Sequence, residues 1–534
     1  MAKYATIKYD EFIKKTLLHL KAKYDGEMYE VRHISRDLNT LDELLKEIKV
    51  YKMKRRIDEE KAMRQRQRGN EYLAHKKHTT AIKIYSEALA LSNRGSLEWS
   101  YCLANRAAAL YSLKTEKELL QAKEDSLACL FGFPVPSRAK IFRRLGHICL
   151  HLDEKLTALE YFKKAIEIEP ENSKNPSESL LEELKNAEIA PAVVPPSEPF
   201  KIDEAGKKGK GMYATRAIRI GEKILSREPY EISVTPGRGV CSGCAKKTGA
   251  PYPCDSCPDD IFCTEDCYAK NFAAHQIICG LANVLYHHSI GKLGVLAIKL
   301  LLREDSEWIN MVANNLKRSN LEHLQFEALA YYICYFTGIR NHKKMLRALF
   351  IITCNGIEMS DNSMGLYPDI SCINHSCNPN VDFIFSGSTC TVRAIKPIAR
   401  NEQIFVDYGN NFATLDKPSR QNKLLAQYFF DCDCEACDED WKHKNFTTMA
   451  DDFHRADEDS GEKRRVKNLI HDLEALDFDQ EVTFPMFDDI RDNFAWLYQR
   501  NFFKQPTDLY VKSLSSIRKL LKRLGNTVDN FYYT

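Results

Sequence analysis

Asn374-His375-Ser376-Cys377-Asn378-Pro379-Asn380, followed by a lone Tyr408 and then by Cys432-x-Cys434-x-x-Cys437, is the stretch from which the fold can be read. Its four thiols are divided one and three, an Asn-His pair stands beside the first, and a tyrosine lies between the groups. A metal that staples a distant strand-like segment to a C-terminal loop accounts for this division. The stapled segments then wall a small-molecule site. Zinc accepts four thiolates in a closed tetrahedral site, and such sites are structural rather than catalytic. The expected metal therefore holds the site and does none of its chemistry. The competing reading is a turn with a buried thiol at Cys377 and an unrelated metal knuckle at Cys432, Cys434 and Cys437.

Upstream, Cys241-x2-Cys244-x9-Cys254-x2-Cys257-x5-Cys263-x3-Cys267-x7-His275-x3-Cys279 gathers eight ligands within 39 residues. One ion has no room for eight, and two tetrahedral sites use all of them. Interleaved pairing gives Cys241, Cys244, Cys263 and Cys267 to one ion and Cys254, Cys257, His275 and Cys279 to the other. So short a segment buries too little apolar surface to fold alone, so metal supplies its folding energy, on the order of 10 kcal/mol per site. A disulfide knot is the alternative, but MAKYATIKYDEF holds no apolar signal region that would direct the chain to an oxidising compartment.

The remaining composition agrees with an intracellular globular chain. Its 534 residues allow three or four domains, at 44% apolar and 28% charged content. Lys+Arg number 77 against 74 Asp+Glu, so no global field draws the chain to nucleic acid or an anionic membrane. The longest apolar stretch, Leu293 to Leu302, is broken by Lys299 and is too short to span a bilayer. Of the 18 cysteines, four belong to the first cluster and seven to the second. The other seven, Cys102, Cys129, Cys149, Cys334, Cys354, Cys372 and Cys390, stand singly and read as buried free thiols.

Near the N-terminus a helical repeat is legible. Gly69, Tyr72, Ala81, Tyr85 and Ala88 recur at the same offsets as Gly146, Cys149, Ala158, Phe162 and Ala165, and Pro170 ends the unit. Small residues at such positions let paired helices approach, a tetratricopeptide signature. Ala108, Tyr111, Ala122, Ser126 and Cys129 form a looser middle copy. The two glycines lie 77 residues apart, so the middle repeat is expected to carry about nine extra residues.

The string NHSCNPN, the segment Glu402-Gln403-Ile404-Phe405-Val406-Asp407-Tyr408 and the closing CxCxxC resemble the catalytic half of a SET-domain lysine methyltransferase. The upstream cluster resembles a MYND zinc finger with every ligand position filled. A finger lying between Lys208-Gly209-Lys210-Gly211 and NHSCNPN is similar to the arrangement in the SET and MYND domain methyltransferases, nearest their tetratricopeptide-bearing branch. The resemblance implies S-adenosylmethionine as methyl donor, three zinc ions per chain and a protein substrate with a target lysine. It assigns Tyr408 to the reacting centre. Lys208, Lys210, Asn355, Ser371, Asn374 and His375 would hold the cofactor, and Phe430 would stack on adenine or else simply fill core. Asn401 stands where the family often has glycine, and the first loop reads Lys-Gly-Lys-Gly-Met-Tyr rather than ending in Leu-Arg.

In tetratricopeptide domains similar to this one, the positions of Arg66, Asn70, Asn105, Lys140 and Arg144 form a carboxylate clamp on the C-terminus of heat-shock chaperones. The alternative is that they are solvated residues of a generic scaffold. A proline-rich co-repressor peptide at the finger is a further implied partner, and nucleus and cytoplasm are the implied compartments. The expected fold is α+β and multidomain. It comprises an N-terminal helical cap (1–56), tetratricopeptide repeats (57–175), a Pro-rich linker (176–200), the first part of a split β-rich SET domain (201–240), the finger (241–279), a helical SET insert (280–345), the catalytic core (346–431), a zinc loop (432–437) and a short helical C-terminal region (438–534). Two functions stand at this point: a lysine methyltransferase, or an adaptor whose repeats and finger recruit chaperones or co-repressors around an idle core.

Overall fold

The structure, a computed structural model, describes residues 56–168, 198–280, 291–359, 363–441, 446–477 and 483–525, apart from gaps at 131, 236–238, 304, 306, 312–319, 459–460 and 504–505. Nearly all of the expected N-terminal cap and of the Pro-rich linker lies outside the described residues.

Six helices form three antiparallel pairs: α1 (Glu59–Ala74) with α2 (His78–Leu89), α3 (Leu97–Tyr111) with α4 (Glu116–Cys129), and α5 (Ala139–His151) with α6 (Lys155–Ile168). The caps follow the sequence, for Asp58 accepts from the Lys61 amide and Ser96 from the Trp99 amide. The small-residue rule is direct here: a Cβ at Gly69 would strike the Tyr85 ring, and one at Gly146 the Phe162 ring. The extra residues are not confined to the middle repeat. They are divided between the α2–α3 connection (90–96) and the α4–α5 connection (130–138), each longer than the three-residue turns inside the outer pairs.

The β-rich body is assembled from both sides of the finger. β1 (Phe200–Glu204), β2 (Lys210–Ala214), β3 (Lys223–Arg227) and β4 (Glu231–Val234) precede it. β7 (Gly356–Glu358), β8 (Ser363–Leu366), β9 (Asn374–His375), β10 (Val381–Ser386), β11 (Thr389–Ala394) and β12 (Gln403–Val406) follow it. Three small sheets interleave the halves in the orders β1-β2-β12-β9, β10-β11-β3 and β4-β8-β7. They enclose one apolar core, with Met212, Ile224, Val392 and Ile404 at its centre. Asn401, the departure from glycine, has φ +68, a left-handed conformation that glycine adopts freely and asparagine best among other residues. The substitution is therefore conformationally conservative.

The finger contributes β5 (Tyr252–Pro253), β6 (Ile261–Phe262) and α7 (Glu265–Ile278). The helices α8 (Gly291–Leu302), α9 (Asn320–Thr337) and α10 (His342–Asn355) form a second core. Within α8, buried Lys299 donates to the Ile232 carbonyl (2.8 Å) and to Asn271 Oδ1 (3.1 Å), tying the insert to sheet and finger. After α11 (Lys417–Tyr428) and the short α12 (Glu435–Asp438) come α13 (Met449–Arg455), α14 (Glu462–Glu474), α15 (Phe484–Gln499) and α16 (Asp508–Leu524), whose apolar faces close over Phe412, Cys377 and Cys437. No helix among the described residues is long and apolar enough to cross a membrane.

Candidate active site and metal centres

Each polar residue of NHSCNPN named below has its own partner. Asn374 Nδ2 donates to the Lys210 carbonyl (3.0 Å), closing β9 on the end of β2. Gly211 permits this approach, since a Cβ there would crowd Asn374 and Gln403. The buried His375 accepts the Tyr408 amide at Nδ1 (3.1 Å) and turns Nε2 to Cys377 Sγ (3.3 Å). An Nδ1 acceptor requires neutral imidazole, and burial lowers the His375 pKa to about 4. Asn380 takes the Phe405 amide (2.8 Å) and gives Nδ2 to the Gln403 carbonyl (2.9 Å), pinning β12. Asn378 accepts from the Tyr510 hydroxyl (2.9 Å) of α16.

These bonds shape a cavity of about 520 Å3, a size suited to a cofactor. Seven of the eight residues expected around the cofactor line it: Lys208, Lys210, Asn355, Ser371, Asn374, Tyr408 and Phe430. The eighth, His375, supports it from behind. Lys208 is not free as the sequence suggests, because its Nζ meets Asp433 Oδ1 at 2.6 Å and so bridges the first loop to the zinc loop. Sequence reasoning missed Tyr428, Cys354 and Cys372, which also line the cavity. Tyr428 is the consequential one, its ring 4.8 Å from that of Tyr408. Both sit among apolar atoms, and burial raises both phenols, that of Tyr428 to about 12. The Tyr408 hydroxyl donates to the Ile373 carbonyl (2.8 Å).

Three groups of four metal ligands are gathered, each with its donor atoms within 4.8 Å of one another: Cys241, Cys244, Cys263, Cys267; Cys254, Cys257, His275, Cys279; and Cys377, Cys432, Cys434, Cys437. The interleaved pairing and the one-plus-three staple are both as expected. Donor chemistry fits zinc in each. In the second group the His275 ring faces Asp260 through Nδ1 (3.5 Å) while Nε2 faces Cys254 Sγ (2.9 Å), the carboxylate–histidine arrangement that orients a zinc ligand. In the third, the fully buried Arg420 donates to the Ala436 carbonyl (3.0 Å) and stands 3.7 Å from Cys437 Sγ, offsetting thiolate charge.

The finger is docked on the repeats. Arg106, fully buried, holds Asp125 by two bonds (2.7 and 2.9 Å) and reaches the Pro251 carbonyl of the finger (2.7 Å). Arg94 lies 4.1 Å from the centre of the Tyr268 ring and pairs with Glu265 (2.8 Å). The clamp candidates stand on α1, α3 and α5. Asn105 Nδ2 donates to Asn70 Oδ1 (2.8 Å), and Arg144 donates to the Ala104 carbonyl (2.7 Å), one turn along α5 from the exposed Lys140. Arg66 differs from expectation in being held by Glu98 (2.5 and 3.1 Å).

Residues 209–409 match the SET domain family model. The chain thus carries a SET domain, and the finger interrupts it. The resemblance to SET and MYND methyltransferases read from the motifs is borne out by curated relatives: the chain is similar to N-lysine methyltransferase SMYD2-B of Danio rerio (25% identity, 49% of this chain and 64% of that protein). It is likewise similar to histone-lysine N-methyltransferase SMYD3 of Homo sapiens (27% identity, 45% and 62%). The match therefore spans somewhat under two thirds of these relatives. Among solved structures, the SET domain of LSMT bound to lysine and AdoHcy aligns with a TM-score of 0.28 (10% identity, 63% of this chain and 87% of that chain).

Proposed function

We propose that this protein is a lysine N-methyltransferase that uses S-adenosylmethionine to methylate a histone or non-histone protein in nucleus and cytoplasm. The observation that carries the proposal is the cavity shared by Asn374, Tyr408, Tyr428 and Phe430, with His375 and the zinc loop fixing its walls. Amides, a serine hydroxyl, lysines and an aromatic ring around one cavity suit a ligand that joins a charged amino acid to a purine. When bound, that cofactor supplies an electrophilic methyl group on a sulfonium.

The residues do the rest. A lysine side chain is neutral at pH 7 in about one molecule in a few thousand, a deficit of roughly 4 to 5 kcal/mol. The paired rings of Tyr408 and Tyr428 exclude water along the approach and so favour the uncharged amine. Neither phenol serves as the base at neutral pH, because burial raises both. The proton therefore leaves to solvent before the amine is enclosed. Tyr408, anchored through Ile373, then aligns nitrogen and methyl, and alignment supplies much of the remaining acceleration.

The repeats are proposed to take an acidic C-terminal peptide of a cytosolic chaperone, on the strength of Asn70, Asn105, Lys140 and Arg144 standing on the first helices of the three successive pairs. A proline-rich ligand at the finger has weaker support, since Arg94 already covers the Tyr268 ring. Eleven thiolate ligands suit the reducing compartments proposed. Titration calorimetry with S-adenosylmethionine, followed by radiolabel transfer onto a protein array, tests the enzyme reading. Micromolar binding with labelled lysine supports it, and an idle core that binds no cofactor returns the adaptor.

A further inference from the structure

The three metal sites differ in how far solvent reaches their ligands. In the first group two thiols, Cys244 and Cys263, are half-buried, whereas the second and third groups have one such ligand each, Cys279 and Cys434. A cavity of about 580 Å3 lies at the seam between repeats and finger, walled by Ile82, Leu110 and Leu120 on one side and by residues 246–250 on the other. Leu120 is 46% exposed, so the cavity is open to water. Cys263 lines it, and none of its lining residues belongs to the cofactor cavity. Small solutes therefore reach a ligand of the first site without entering the SET domain.

The two half-buried thiols are also neighbours, with Sγ atoms 3.5 Å apart. Zinc holds cysteine as thiolate, and four thiolates on a divalent ion leave an excess of negative charge. In the second group His275 replaces one thiolate, and in the third the guanidinium of Arg420 stands 3.7 Å from Cys437 Sγ. The first group has neither device. Among the described residues one N–H reaches its sulfurs, from Gly243 to Cys241 (3.3 Å), and none reaches Cys244 or Cys263. Electron density therefore stays on the outer pair, and an accessible thiolate of this kind is the nucleophile toward oxidants.

We propose that Cys244 and Cys263 form a reversible oxidation site for hydroperoxides. One thiolate attacks an oxygen of hydrogen peroxide, the O–O bond breaks, hydroxide leaves and a sulfenic acid forms. The other thiolate attacks that sulfur, the S–O bond breaks and a second hydroxide leaves, giving the disulfide. The two thiolates lose two electrons, the peroxide gains them, and two protons from water complete two molecules of water. The site keeps two of its four ligands and with the others loses its zinc. Cys263 directly precedes Thr264, which caps α7, and Glu265, which pairs with Arg94 of the repeats, so the step acts on the seam itself. It concerns zinc retention and not methyl transfer, and either reading can fail without the other.

The test uses the full-length, zinc-loaded protein, hydrogen peroxide and a chromogenic chelator that reports released zinc. Samples taken through the reaction are alkylated with one reagent before reduction and another after it, and peptide mapping then locates each oxidised cysteine. No variant is needed, so a folding defect cannot obscure the result. One zinc ion per chain is expected to leave about tenfold faster than the next, together with a Cys244–Cys263 disulfide, while the ligands of the other two groups stay reduced. Dithiothreitol followed by zinc should restore the original metal content. First release from the second or third group, loss of all three ions at one rate, or a disulfide between Cys241 and Cys267 instead would each overturn the proposal. So would sulfinic acid at Cys244 or Cys263 without a disulfide, or full zinc retention at a peroxide concentration that oxidises the half-buried Cys354 and Cys372.

Discussion

Replacing Arg106 with methionine should destabilise the protein by about 3 to 5 kcal/mol, the usual consequence of removing one partner from a buried ion pair. The size follows from what is left behind. Asp125 is 1% exposed, so its carboxylate would lose two charge-assisted bonds with no access to water. The Pro251 carbonyl would lose its donor, and Ser86 would lose one of its two partners while keeping the Ile82 carbonyl. Neutral hydrogen bonds are worth about 1 kcal/mol each, so the stranded carboxylate accounts for most of the loss. Removing that charge as well, with Asp125→Leu added to Arg106→Met, should therefore restore most of the stability. Urea unfolding of wild type, the single variant and the double variant measures this directly. Because Arg106 also grips the finger, zinc release to a chelator should quicken in the single variant. A loss below about 1 kcal/mol, or a double variant no more stable than the single, would refute the assignment of Arg106 as a buried, charge-compensating link.

Elemental analysis should find three zinc ions per chain, and Cys434→Ser should lose one of them and weaken S-adenosylmethionine binding, since the loop it closes carries Asp433 opposite Lys208. Tyr408→Phe should retain cofactor affinity yet lower turnover by tenfold or more; an unchanged rate on a verified substrate would remove Tyr408 from the mechanism. Burial raises the Glu327 carboxyl from 4.5 to about 7, so the folded protein keeps a proton that the unfolded chain has already released. Stability should fall as pH rises through that interval, and Glu327→Gln should flatten the fall and be the more stable protein at pH 8; parallel pH curves for the two proteins would contradict this. Acidic peptides with a free C-terminus should bind the repeats at least tenfold more tightly than their amides, and Lys140→Ala with Arg144→Ala should abolish that preference.

What is legible in the sequence is whatever chemistry allows only one residue type. Thiolate ligands have no substitutes, so the spacing of Cys241 to Cys279 specifies an interleaved pair of sites that the structure reproduces. Gly69 and Gly146 are legible for a steric reason, since Tyr85 and Phe162 occupy the space of a side chain. Contacts between distant elements are not legible. Tyr428 gives no signal because an aromatic at the end of a helix reads as core, and only folding sets it against Tyr408. Lys208 reads as a free cation because nothing local reveals that Asp433, beyond two hundred intervening residues, will be brought to it. Arg66 reads likewise, although Glu98 lies only one repeat away. Charge partners are interchangeable among many acidic residues, so composition leaves them undetermined.

The helix Leu97–Tyr111 shows why such contacts matter for function. One face of it carries Glu98, Tyr101 and Asn105 toward α1, where Arg66 lies over the Tyr101 ring at 5.1 Å. The other carries Trp99, edge-on to Tyr252 of the finger at 5.2 Å, and Arg106, bonded to Pro251. The same helix therefore contacts both the clamp candidates of α1 and the finger. The finger shares its apolar core with the repeats through Tyr252, Phe262 and Tyr268, and its two metal sites are expected to supply much of its folding energy. On the proposed reading of the repeats, zinc is therefore expected to support the peptide-binding surface as well as the finger. Peptide affinity measured on chelated protein would report on a different surface from that of the zinc-loaded chain.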